Sequence, residues 1–433
     1  MSKQITTKPF YNSTIPSDWI TPEFGEVFSF LKSFSFSREQ LTNEKTADEI
    51  QNIHYGDIHA TFENEILDFE IESRIPFVVD GLISKDVMSN EEFPLLKDGD
   101  LIIADASEDT VGVAECVELK NVNGRKIVSG LHTFAARDKN GKTAAGYRTY
   151  ILKHPQVVRE LRRIATGFSV FGVSKTNLAT VLLPIPPLSE QKGIAHILNI
   201  MDTCINTNNL LIGKKELQKK YLSQVLLSGK KRLKGFEKTK WKEIHIKDAS
   251  KEVSIKNRED KQLTVLSCTK HNGLVPSLEY FGRKIFSDNV STYKIVPKNH
   301  FAYATNHIEE GSIGYQEIFD EALISPMYTV FKTDSSVNDN FFFKLLKSHH
   351  CIYQYQNRME GSIDRRGGLR WDAFSIIKVR VPNIEEQTAI AKVLQTADKE
   401  IQLLKSKTEK LREKKKGLMQ ILLTGKKRLM IKK

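Results

Sequence analysis

Apolar residues recur in alternating steps of four and three along two stretches of the chain. In the later stretch they stand at Ile390, Leu394, Ala397, Ile401, Leu404, Leu411, Leu418 and Leu422, interrupted at Thr408 and Lys415. In the earlier stretch they stand at Ile194, Leu198, Met201, Ile205, Ile212, Leu222 and Leu226, with polar breaks at Asn208, Lys215 and Lys219. This spacing predicts a helix that lays a narrow seam against another helix. Polar residues in such a seam cost stability and fix register and partner number. Pro186 and Pro382 precede the two stretches, Asn383 with Glu386 suits a capping box, and Gly229 and Gly425 suit the ends. Each helix then covers roughly 38 residues, or about 57 Å at 1.5 Å per residue.

The two stretches are copies. "LSEQKGIAHIL" (188–198) aligns with "IEEQTAIAKVL" (384–394), and "LLSGKKRL" (226–233) with "LLTGKKRL" (422–429), at a constant offset of 196 residues. Gln191 falls on Gln387, Asp202 on Asp398, and Gly172 on Gly368 at that same offset. An ungapped match over about forty residues points to a rigid element whose length matters, because loops tolerate insertions and packed helices do not. The simplest partner for one seam is the other copy, packed antiparallel as an internal coiled coil. The alternative is that each helix packs on its own globule.

The remaining segments are each long enough for a domain. The division is 1–183, a helical segment 184–236, 237–379, and a second helical segment 380–433. Both globular segments open with a tryptophan (Trp19, Trp241) ahead of an apolar–polar run and otherwise show little likeness. Their pattern is α+β. Strand-like runs such as "LIIADA" (101–106), "TVGVAECVEL" (110–119) and "YTVFK" (328–332) lie between Gly, Asn and Asp turns, with helices expected at 149–165 and 338–356. The layout is that of a fixed scaffold displaying two variable readers.

Charge sharpens this picture. The net charge is +12, yet 212–242 alone carries +9 and 405–433 carries +10, whereas 1–187 holds 20 basic and 26 acidic side chains. The basic excess sits around the two GKKRL copies and reads as polyanion contact, subunit docking or solvated helix ends. No apolar run has the length of a membrane span or the form of a signal peptide. The four cysteines (Cys116, Cys204, Cys268, Cys351) are scattered, so a reducing, cytoplasmic setting is expected.

Catalytic motifs are scarce. The sequence has no phosphate-binding G-x-x-x-x-G-K-[ST] loop, no Asn-Pro-Pro-aromatic methyltransferase motif and no zinc spacing. Asp105, Glu118 and Lys120 have the D…E-x-K spacing of metal-dependent nucleases, in which carboxylates hold Mg²⁺ and a lysine steadies the attacking water. "IHYGDIHATF" (53–62) gathers His54, Tyr55, Asp57 and His59, which suit a metal site through His54, Asp57 and His59, a polar strand–turn–strand, or base recognition. Gly-rich loops with polar side chains give further groove-contact candidates. In the first globule these are His132, Arg137, Lys139, Lys142, Ser169, Ser174 and Lys175. In the second they are Lys270, His271, Asn272, Asn306, His307, Ser312, Tyr328, Arg365, Arg366 and Arg370.

With the proline-led "PPLSEQ" (186–191) and "PNIEEQ" (382–387), the long helices after them and the L-L-[ST]-G-K-K-R-L ends, the whole chain resembles the specificity subunit of Type I restriction–modification systems. "IHYGDIH" (53–59), "GSIG" (311–314) and "SPMYTVFK" (325–332) are similar to segments of that family's target recognition domains. The resemblance implies two target recognition domains, each reading one half of a bipartite, asymmetric site on double-stranded DNA. It implies an antiparallel coiled coil that sets the spacer, and no catalysis by this chain. Two modification subunits would dock on it, and up to two restriction subunits would join. S-adenosylmethionine, ATP and Mg²⁺ would belong to those partners. A metal-dependent nuclease and a coiled-coil adapter without a DNA role are the competing readings.

Overall fold

The computed structural model describes residues 6–110, 112–360 and 368–429. They form two compact units. The first takes the chain up to Asn208 together with the stretch from Lys407, and the second is Asn209–Ser406. The four sequence segments thus regroup, because each unit combines one globule with a portion of both long helices.

The first globule is built on a sheet of β1 (Phe28–Leu31), β2 (Ile66–Asp68), β3 (Leu101–Ala104), β4 (Cys116–Lys120) and β5 (Thr133–Asp138) in the order β1-β5-β3-β4-β2. The pairings are antiparallel except for β4 with β2. The second globule carries β6 (Ser250–Val253), β7 (His300–Ala304), β8 (Ile313–Gln316) and β9 (Tyr328–Thr333) in the order β6-β9-β7-β8, all antiparallel. The two orders correspond strand for strand, β1 to β6, β5 to β9, β3 to β7 and β4 to β8. Sequences with little likeness therefore fold on one plan. The central strands β3 and β7 are buried along their whole length, so "LIIA" and "HFAYA" show no inside–outside alternation to compare.

Local chemistry accounts for two departures from the expected elements. The helix expected at 149–165 is split into Arg148–Leu152 and Pro155–Ile164, because Pro155 starts a new helix and the His154 side chain caps it. The 338–356 region likewise forms Asp339–Leu346 and His349–Glu360. Of "TVGVAECVEL", the strand takes up only Cys116 onward, after a turn that places Ala114 at φ +57°.

The long helices are α1 (Leu188–Leu227) and α2 (Ile384–Leu422), 40 and 39 residues. They run antiparallel within each unit. In the first, Asp202 meets Lys415 at 2.6 Å and Asn208 donates to Thr408 at 2.6 Å. In the second, Lys215 meets Glu400 at 2.8 Å and Lys219 meets Asp398. As one number rises its partner's falls. Along the 4-3 positions Ile194, Leu198, Met201, Ile205 and Leu226 are buried, Ile212 and Leu222 half-buried. On α2, Ile390, Leu394, Ile401 and Leu422 are buried, and Ala397, Leu404, Leu411 and Leu418 half-buried. The helices pair as the first alternative expects, and each also packs on globular cores, not on its own globule alone but one end in each. The middle of each forms the seam, while Ile194, Leu198, Leu422 and Leu423 enter the first globule's core and Leu226, Leu227, Ile390 and Leu394 enter the second's.

The repeated motifs fasten each globule to its helices. Gln191 accepts from Ala144 N–H (2.7 Å) and donates to the carbonyls of Lys142 (3.0 Å) and Pro186 (2.8 Å). Gln387, at the offset position, accepts from Asn338 N–H (2.8 Å) and donates to Ser336 (3.2 Å) and Pro382 (2.9 Å). Arg428 of the second GKKRL grips Glu190, and Arg232 of the first grips Glu386. Asn383 caps α2 by accepting from Glu386 N–H at 3.2 Å, but the reciprocal half of the expected box is replaced, because the Glu386 side chain is taken by Arg232 and Thr239. Gly229 and Gly425 close the helices at φ +70° and +67°; a Cβ on Gly425 would fall 2.3 Å from Pro16, and one on Gly229 would press on the Trp241 ring at 3.3 Å.

Candidate nucleic-acid interface

In each unit one edge is built the same way. The residue after the central strand is tied to the residue before the neighbouring strand, and a loop is hooked onto it. In the first unit Asp105 N–H donates to His132 C=O at 3.1 Å, and Val173 N–H donates to Asp105 C=O at 2.9 Å. In the second, Thr305 Oγ1 donates to Met327 C=O at 2.9 Å, and Leu369 N–H donates to Thr305 C=O at 2.9 Å. Val173 and Leu369 are themselves 196 residues apart. Gly368 sits at φ +63°, where a Cβ would fall 2.6 Å from Asn306 Oδ1 and 2.7 Å from the Thr305 carbonyl, so this close approach requires glycine.

The side chains at the two edges differ. In the first unit Tyr55 packs its ring near His54 (4.6 Å), His132 (5.4 Å) and His59 (6.2 Å). His132 Nδ1 lies 3.2 Å from Asp105, and His59 Nε2 donates to Ala106 C=O at 3.1 Å. Burial raises the Asp105 carboxyl above its ordinary range, against the pull of His132. Residues Phe171–Gly172 pair with Ala106–Ser107 and bring the 167–175 loop alongside, with Ser169, Ser174 and Lys175 exposed. Ser174 caps the short helix Lys175–Ala179, and Lys175 Nζ stands 5.4 Å from the Phe134 ring and 5.8 Å from Phe30.

The second unit has at this place a cleft of about 420 Å³. Asn306, Met327, Tyr328, Arg370, Trp371 and Asp372 line it. Three sequence candidates, Asn306, Tyr328 and Arg370, converge here, and Met327, Trp371 and Asp372 join them. Trp371 and Asp372 carry no distinctive motif, and Met327, although it lies within SPMYTVFK, is not of a type that points to base edges. Arg365 and Arg366 lie outside the described residues.

Other candidates are engaged elsewhere. His54 caps the helix Tyr55–Ala60, accepting from Gly56 N–H at 3.1 Å, and burial holds its imidazole below the usual range. Asp57 is buried and paired with Arg38 at 2.6 Å. With His59 turned to Ala106, the three residues considered for a metal do not converge. Arg137 is bidentate to Asp100 (2.8 and 2.6 Å), Lys139 reaches Gly25 C=O, and Lys142 lends its carbonyl to Gln191. Ser312 is buried, and His307 is exposed beside Glu310. Lys270, His271 and Asn272 form an exposed hairpin turn, with His271 in a cleft lined by Glu216, Lys219, Asp398 and Lys405.

The D…E-x-K spacing does not make one site. Asp105 faces His132, while Lys120 pairs with Asp68 on the surface at 2.8 Å. Glu118 is 1% exposed and accepts from the N–H groups of Gly146 (2.5 Å) and Arg148 (2.8 Å). Burial pushes its carboxyl up to about 7. It organises the turn before Arg148. The GKKRL lysines, Lys230, Lys231, Lys426 and Lys427, are exposed, whereas the arginines of both copies are committed to Glu386 and Glu190. No helix among the described residues is long and apolar enough to cross a membrane.

Two like frames each hold out an edge with its own set of side chains. The family model for the type I restriction modification DNA specificity domain matches residues 16–219 and again 234–413, and the chain belongs to that family. It is 24% identical to the type I restriction enzyme MjaVIII specificity subunit of Methanocaldococcus jannaschii over 98% of this chain and 96% of that one. Its fold is similar to that of the Type-I restriction-modification system S subunit from M. genitalium, with TM-score 0.52 and 15% identity over 96% and 99% of the two chains. It is also similar to a chain solved for the complex assembly and conformational transition of the type I R-M system, with TM-score 0.56 and 12% identity over 96% and 100%.

Proposed function

We propose that this chain is the sequence-reading subunit of a type I restriction–modification complex and has no catalytic centre of its own. Each globule reads one half of a bipartite, asymmetric site on double-stranded DNA, and α1 with α2 sets the unread spacer. Two modification subunits dock on the repeated helical frame, bringing S-adenosylmethionine. Up to two restriction subunits, bringing ATP and Mg²⁺, complete the assembly in the cytoplasm. The observation that carries this reading is the pair of equivalent edges. The hooks Val173–Asp105 and Leu369–Thr305 are the same hydrogen bond, yet one edge presents Tyr, His and Lys and the other Asn, Tyr and Arg. Those side-chain types suit different base edges: Arg pairs with guanine and Asn with adenine. The acidic balance of the first globule leaves phosphate neutralisation to local lysines and to the partner subunits, so DNA binding by the isolated chain is expected to be weak.

Mapping methylated bases in cells with and without the gene tests this. One bipartite motif disappears with the gene, and replacing the 368–372 segment changes one half of the motif only. An unchanged map with the companion subunits expressed rejects the reading. Metal-dependent cleavage by the purified chain that is lost in Glu118→Gln supports the nuclease instead.

A further inference from the structure

The hairpin beside the first edge displays a side chain that no hydrogen bond explains. Phe168 is fully exposed at 103%, and Val170 is exposed at 56%. Single exposed apolar residues are ordinary, but this one is held out on a braced support. Thr166 and Gly172 exchange both backbone hydrogen bonds, at 2.9 and 2.8 Å. Phe171 and Gly172 pair with Ser107 and Ala106, and Val173 is hooked to Asp105. Gly167 turns at φ +135°, where a Cβ would lie 1.8 Å from the Val170 carbonyl oxygen, so the turn is too tight for any side chain at that position.

The hairpin is attached to the same three residues, Asp105–Ser107, that receive His132 and His59. A braced hairpin carrying a phenyl ring is therefore fastened to the residues that receive two groups suited to base edges. Two apolar side chains at a hairpin tip form far too small a patch for a stable protein partner, which needs on the order of 1,000 Å² of total buried surface. A nucleobase is matched in size to one ring.

We propose that Phe168 is an apolar base contact of the first unit, meeting either the methyl group of a thymine or the face of a base whose stacking it opens. The proposal rests on the reading of this edge as a DNA-contacting surface. Its test uses the full chain assembled with its modification subunits and a duplex carrying the mapped site. Phe168→Ala lowers affinity for that duplex roughly tenfold and leaves affinity for a duplex with both half-sites scrambled unchanged, with an unaltered melting temperature. If the partner is a methyl group, deoxyuridine in place of one thymine of the first half-site weakens the wild type and weakens Phe168→Ala no further, and Phe168→Leu stays near wild type. If the ring opens a stack, 2-aminopurine in that half-site brightens on binding the wild type and stays quenched with Phe168→Ala and Phe168→Leu. Wild-type affinity in Phe168→Ala overturns the proposal, as does a loss of affinity with both probes silent. A wild-type complex that binds cognate and scrambled duplexes alike removes the underlying reading, and this contact with it.

Discussion

Arg428 closes on Glu190 with Nε at 2.8 Å and Nη2 at 2.8 Å, tying the turn after α2 to the first turn of α1. Trp19 Nε1 adds a donor to the same carboxylate at 3.2 Å, and Arg428 reaches on to Asp18, holding that carboxyl below its ordinary range. Arg232 and Glu386 repeat the clasp at 2.7 Å in the second unit, with the Arg232 guanidinium 5.7 Å from the Trp241 ring. Glu190 is 3% exposed and Glu386 0%. Removing either arginine strands a buried carboxylate, at a cost of about 3 kcal/mol. Urea unfolding of Arg428→Met and Arg232→Met checks this, and the two losses add because the sites lie in separate units. Alanine at Lys230, Lys231, Lys426 or Lys427 changes stability by less than about 0.5 kcal/mol.

Lys415 and Lys219 occupy equivalent seam positions in unlike surroundings. Lys415 is 8% exposed and joins Asp202, Glu65 and the face of Tyr150, whereas the Lys219 side chain is 34% exposed beside Asp398. Against the upward push of burial, Lys415 and Lys153 hold Glu65 below its usual range. Lys415→Met costs about 3–5 kcal/mol and Lys219→Met about 1 kcal/mol or less. The Lys219 loss shrinks further in 1 M salt and the Lys415 loss does not.

Asn208 and Thr408 satisfy each other inside the seam. Asn208→Leu alone costs about 1–3 kcal/mol by leaving buried polar groups short of a partner. Leucine at both positions restores or exceeds wild-type stability and loosens pairing specificity. Denaturation curves read the first effect. Size-exclusion chromatography reads the second as multimers in the double variant alone.

His154 is buried, with its ring 5.3 Å from Phe10, and burial pulls its imidazole down to about 4 from an ordinary 6.5. Between those values the unfolded chain binds the extra proton and the folded chain does not. Stability from this residue is therefore complete above pH 6.5 and falls as pH drops toward 4. His154→Asn keeps a capping side chain for the helix at Pro155 and flattens that slope. Thermal unfolding across pH 4–7 shows the difference.

Arg370 lies exposed at the cleft that also holds Asn306 and Tyr328. Arg370→Ala is expected to cost about 1–3 kcal/mol of DNA binding and to relax the motif at one position of one half-site. Methylated-base mapping of the variant shows which position. A uniform loss across sequences identifies a phosphate contact instead.

The helices and their antiparallel frame were legible because a 4-3 period repeated twice leaves few alternatives, and the seam positions, including the polar breaks, were marked residue by residue. The likeness of the two globules was hidden. Matching strands β3 and β7 are buried on both faces, so their sequences vary freely among apolar residues and share no period to align. At the edges, residue type picked out Asn306, Tyr328 and Arg370, which the fold gathers at one cleft. It also selected Arg137 and Asp57, which the fold turns inward to Asp100 and Arg38. An arginine or an aspartate in a polar loop looks the same whether its partner is solvent, DNA or a buried countercharge. Phe168 was overlooked because apolar residues are presumed to lie inside.

The clasp has a hereditary side. Its arginines stand within "LLSGKKRL" and "LLTGKKRL", and each closes on the glutamate of an S-E-Q or E-E-Q at the far copy. A genetic crossover between the two copies, or between this gene and a relative with the same motif, joins one globule's coding sequence to a new neighbour with every fastening residue still in register. The fastening of each globule is thus carried by the repeat itself and would pass through such an exchange unchanged.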